Sequence, residues 1–69
     1  MIKYVISTGR SVLSDILYNK QKEIDYTFSN IAEKAIKFDK IGDAMDMASR
    51  VNKMINGYNC KVILIEINK

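Results

Sequence analysis

The segment CKVILIEI, Cys60 to Ile67, constrains the fold more than any other part of this chain. Extended backbone sends alternate side chains to opposite sides. One side here is Cys60, Val62, Leu64 and Glu66; the other is Lys61, Ile63, Ile65 and Ile67. Both are largely apolar, which is expected of a central strand covered on both faces. A chain of 69 residues has material for one long helix, and one helix covers one face of a sheet. The second face therefore asks for a cover from outside the chain.

The rest of the sequence supplies the sheet and the helix. IKYVIS alternates from Ile2 to Ser7 and predicts a strand, with Ile2, Tyr4 and Ile6 opposite Lys3, Val5 and Ser7. Gly9 supplies the positive φ for a turn at Thr8 to Arg10. SVLSDILYNKQKE reads two ways: as a helix with Val12, Leu13, Ile16 and Leu17 on one face, or, the favoured reading, with SVLSDI as a hairpin partner for the first strand running into a loop near Asn19 to Lys22. EIDYTFSN predicts a third strand with Ile24, Tyr26 and Phe28 on one side. Asn30 and Glu33 have the spacing of a capping box for a single helical turn, after which Ile36 to Phe38 returns to extended chain.

The main helix starts after Asp39, the expected N-cap. Ile41, Ala44, Met45, Ala48, Val51 and Ile55 recur at helical spacing and form the expected buried stripe. Gly42, Asp43, Asp46, Ser49, Arg50 and Lys53 form the wet side, with Asp46 and Arg50 placed as an i,i+4 pair. Asn56-Gly57 is the expected stop. The elements run β-β-β-α-β. They predict an α+β domain spanning 1–69, a small antiparallel sheet of three or four strands with one main helix packed on one face.

Composition removes whole classes of function. There is no histidine and one cysteine, Cys60. The commonest general base, the commonest metal ligand and every Ser-His or Cys-His nucleophile pair are missing. No intrachain disulfide or cysteine-based zinc site can form. Acids at Asp39, Asp43 and Asp46 suit a helix N-terminus better than an ion, which needs more oxygen ligands. STGRS lacks the full phosphate-loop pattern. The expectation is a non-enzyme with no cofactor and no metal. No apolar run approaches the ~20 residues of a membrane span. MIKYVIST is too short and too alternating for a signal peptide, so a cytoplasmic protein is expected.

Two binding surfaces are candidates. The first is apolar: Val5, Ile63, Ile65 and Ile67 on the uncovered sheet face, with Met47 and Met54 edging it from the flank of the helix. Three isoleucines in one row form a patch that a soluble monomer rarely leaves bare; the other arrangement turns Val62 and Leu64 outward, and either patch could be reserved for a target by a monomer. A second copy is the default cover, since symmetric dimers are the commonest assembly and so small a chain gains from one. The alternative surface is basic. Net charge is +3, and Lys3, Lys34, Lys37, Lys40 and Lys61 could gather into a nucleic-acid patch.

YTFSN, EKAIKFD, DAMDMASRVNKMI and KVILIEI, in that order, resemble small accessory proteins of phages and prophages of low-GC bacteria. Many of these run strand, A-x-x-F-D, helix, strand; here the motif is Ala35 to Asp39. The resemblance covers Tyr26 to Ile67. It implies a group that includes inhibitors of host defence, among them anti-CRISPR proteins. These act in the bacterial cytoplasm as decoys or plugs on a host protein, without catalysis. It carries over no site residue.

Overall fold

In the computed structural model, which describes residues 1–55 and 57–67, the elements follow the expected order. Strands β1 (Ile2–Ser7), β2 (Val12–Asn19) and β3 (Lys22–Ser29) precede helix α1 (Ile41–Met54), and β4 (Lys61–Glu66) closes the chain. The four strands form one antiparallel sheet in the order β3-β2-β1-β4, with α1 on one face. The α+β class read from the sequence is what the structure shows.

The sheet consists of two ribbons joined at one rung. β2 pairs with β3 along its length, and β1 with β4 along its length. β1 and β2 meet only at Ser7 and Val12, so the first hairpin is closed at its turn and splayed beyond it. Residues 36–38 fill the gap. The Ile36 N–H donates to the Leu13 carbonyl, and Phe38 exchanges two backbone hydrogen bonds with Tyr4, 2.8 and 2.9 Å long. The extended stretch after Ala35 therefore acts as a wedge that satisfies backbone groups both ribbons would otherwise leave open.

The first turn follows from local chemistry and the second runs against it. Gly9 has φ +96°, and the Thr8 hydroxyl accepts the Ser11 N–H while the Thr8 N–H donates to the Ser11 carbonyl. Between β2 and β3 the two turn residues are Lys20 and Gln21, with φ of 50° and 70°. A tight hairpin demands this left-handed pair, but neither residue is suited to it.

Several expectations are corrected by packing. β4 lies at an edge, not in the centre: β1 takes the central place because it is paired on one side by β4 and on the other by the wedge and Val12. Val5, expected to face outward, is 2% exposed: it alternates with Ile6 and so lies away from the core cluster, but Ile63 of β4 stands directly opposite it as a cross-strand neighbour. Ile24 is exposed although Tyr26 and Phe28 join the core. The register of β3 shifts between its rungs at Asp25 and Glu23, and Ile24 is the extra residue that drops out of the alternation.

The helix caps differ too. The N-cap of α1 is Lys40, with no side-chain cap; Asp39 instead pairs with Lys3 of β1. Ala32–Lys34 forms the expected single turn as a 3-10 helix, but its cap position is Ile31 and no capping box forms. The Ser29 hydroxyl takes the Ile31 N–H. α1 ends at Met54, and Gly57 follows with φ +93°. The Asn56 part of the expected stop lies outside the described residues.

Candidate interaction surface

The apolar arc of α1 is wider than the sheet can cover, and the sheet covers it unevenly. Ala44, Met47, Ala48 and Val51 are buried. They meet Ile6, Leu13 and Tyr26 in the core, with Ile16, Phe28 and Val62 packed around them. Met47, expected on an exposed flank, is 6% exposed, and Met45, expected in the core, is 57% exposed. The sequence holds both stripes; the β2–β3 ribbon decides between them by closing over the Met47 shoulder. Arg50 marks that closure. It reaches across to Glu23 of β3 (3.2 Å) and contacts the Met47 sulfur (3.7 Å), so the expected i,i+4 partnership with Asp46 gives way to a tertiary one.

Glu23 also accepts a 2.7 Å hydrogen bond from the Tyr26 hydroxyl. Burial, reinforced by this acceptor and its charge, pushes the Tyr26 phenol up to about 12. The cluster Tyr26–Glu23–Arg50 thus locks the β3 side of the helix with satisfied polar groups.

The β4 side is open. Ile41 and Met45 project from α1 over a groove of about 610 Å³, whose other wall is Cys60, Lys61 and Val62. Asn52 sets the groove's geometry. Its side-chain carbonyl accepts the Cys60 N–H (2.7 Å) and its amide donates to the Cys60 carbonyl (3.2 Å), as a neighbouring strand would. The Cys60 thiol is buried beside this clamp, and burial raises its pKa, which disfavours the thiolate form.

The free edge of β4 can be read atom by atom. Ile67 and Met1 exchange backbone hydrogen bonds across the β1–β4 ladder. Antiparallel ladders alternate, so Lys61, Ile63 and Ile65 also direct their backbone groups to β1. The N–H and C=O groups of Val62, Leu64 and Glu66 point away from the sheet. Among the described residues no strand pairs with them. Leu64 is 59% and Ile63 42% exposed, on opposite faces of the strand, so β4 shows apolar surface on both sides at its middle.

The expected apolar surface is thus redrawn. Ile63 and Met54 are exposed; Ile65 and Ile67 are half-buried; Val5 and Met47 belong to the interior. Ile41, Met45 and Leu64 replace them. Ile41 and Met45 carried a signal in the sequence, as apolar residues beside a second complete stripe, but one that a packed helix would equally show.

The basic residues do not gather into one free patch. Lys3 is paired with Asp39, whose carboxyl it holds below the usual range by hydrogen bond and charge. Lys37 donates to the Glu33 and Ala35 carbonyls. Lys34 and Lys40 are exposed on the connection into α1, and Lys61 stands at the opposite end of the β1–β4 ladder from Lys3.

Among the described residues no group of three or more His, Cys, Asp or Glu could hold a metal ion, and no helix is long and apolar enough to cross a membrane. Searches against family models, curated proteins and solved structures return no match to this chain.

Proposed function

We propose that the chain is a non-catalytic protein-binding module that engages another polypeptide along the β4 edge. One observation carries this reading: an edge strand with apolar side chains on both faces and unpaired backbone groups lies beside an open apolar groove. Strand addition uses these two features together, the backbone for affinity and the groove for side-chain selection. The residue types support a binder over a catalyst, since the sequence has no histidine and its one thiol is buried. The resemblance to phage accessory proteins suggests a setting, inhibition of a bacterial defence complex by occupying a host protein's surface. The nucleic-acid alternative draws less support, because Lys3 and Lys37 are engaged within the chain.

Affinity capture from a bacterial lysate, repeated after nuclease treatment and at high salt, tests this reading. A protein partner retained under both conditions and lost with Leu64→Lys is the expected result. A partner that disappears on nuclease treatment, with affinity falling steeply in salt as counterions are released, would transfer the function to nucleic acid.

A further inference from the structure

We infer that in the free protein the β4 edge is covered by a second copy of this chain, which a host target must displace, joined β4 to β4 in antiparallel fashion about a two-fold axis perpendicular to the sheet. The inference rests on the strand-addition reading above and names the partner of that site. Such an axis keeps both helices on the same side, and it pairs residues that share a face. Centred on Leu64, it sets the outward-pointing backbone of Leu64 against that of the partner's Leu64 and Val62 against the partner's Glu66, and it leaves Cys60 to Asn52. The apolar middle of β4 then meets an identical apolar middle, and one continuous sheet runs through both copies.

Charge favours this arrangement. β4 begins at Lys61 and ends at Glu66. Antiparallel pairing brings the basic end of each strand to the acidic end of the other, on opposite faces of the shared sheet and so as a long-range attraction and not an ion pair, whereas a parallel pairing would set like with like. The helices follow the same rule. Asp43 lies in the first turn of α1 and Lys53 in the last, and the two-fold runs one helix opposite to its mate. Lys53 lines the groove that the second copy enters, so acidic starts approach basic ends on both sides of the axis. The exposed Ile41 and Met45 of each copy turn toward the shared groove, which gives both overhanging side chains a cover.

The alternation of the edge provides a test that a merely sticky surface would not pass. Hydrogen exchange is measured by NMR across a concentration series, alongside sedimentation equilibrium. The expected result is a dimer in which the Val62, Leu64 and Glu66 amides gain protection as concentration rises. Ile63 and Ile65, already bonded to β1, stay protected throughout. Leu64→Lys, which sets like charges at the axis, and Met45→Lys, which sets a cation toward the partner's basic helix end, should each raise the dissociation constant about 100-fold, with an unchanged circular dichroism spectrum. A monomer at high micromolar concentration with those three amides freely exchanging overturns the proposal. So does a dimer that both variants leave intact, since its interface must then lie elsewhere. The underlying strand-addition reading fails on a different result, an undiminished lysate partner with Leu64→Lys.

Discussion

β3 and β4 are the two outer strands of one sheet, and they meet solvent differently. β3 carries Lys22, Glu23 and Asp25, and its register is broken at Ile24. Charge and a bulge are the usual defences of an exposed edge. β4 runs Val62 to Ile65 without a charge, a proline or a break, and its ladder with β1 is regular from end to end. The helix above repeats the contrast. Its Met47 shoulder is closed over β3 by Arg50 and Glu23, while its Met45 shoulder overhangs an open groove beside β4. A chain that protects one edge so fully has the means to protect the other. The unprotected edge is where a function that needs pairing belongs.

Two leucines give the sharpest test of this contrast. Leu13 is fully buried between the ribbons and Leu64 is 59% exposed on the free edge. Leu13→Ala should cost about 3 kcal/mol in urea unfolding, from lost burial plus the cavity left behind. Leu64→Ala should cost no more than about 0.5 kcal/mol at low protein concentration, where the edge is free. Equal costs at high dilution would mean that Leu64 is covered within the monomer and that the two edges are alike.

The clamp beneath the groove comes next. Asn52→Ala removes both hydrogen bonds to Cys60 and should cost about 1–2 kcal/mol. NMR shifts should concentrate at residues 58–62, leaving the β3 side unmoved. Shifts spread evenly through the sheet would show that Asn52 supports the whole fold and not the groove.

On the protected side, Tyr26→Phe should cost about 1 kcal/mol through the lost bond to Glu23. The folded phenol, raised to about 12 from 10.0, holds its proton more tightly than the unfolded one. Its contribution is therefore complete below about pH 10 and is lost as pH rises from there through 12. Melting temperature should fall across that window in the native chain, and more shallowly in Tyr26→Phe. Identical slopes would remove Tyr26 from the account.

The smallest expected effect is a gain. Gln21→Gly relieves a left-handed residue in the β2–β3 turn and should stabilise the domain by roughly 1 kcal/mol. A loss of stability would mean that the flexibility added to the unfolded chain outweighs the relief of strain.

The identity of β1, β3, β4 and α1, the Gly9 turn, the extended stretch after Ala35 and the wet side of α1 were legible in the residue pattern, because each depends on neighbours a few positions away; Val12 to Asn19 fitted a helix as well as the strand it forms. The candidate surface was legible only in part. Ile63 and Met54 stand exposed where the pattern placed them, while Met47 and Val5 changed places with Met45 and Leu64. The sequence by itself determined that this chain carries more apolar surface than one helix and one sheet can hide. Only the tertiary structure decided where the surplus shows. Strand order places β4 at the edge, a one-residue bulge turns Ile24 out, and Asp39 leaves its helix for Lys3. Strand order and the Lys3–Asp39 pair join groups far apart in sequence, and the bulge depends on register against the neighbouring strand; periodicity along one strand contains no term for either.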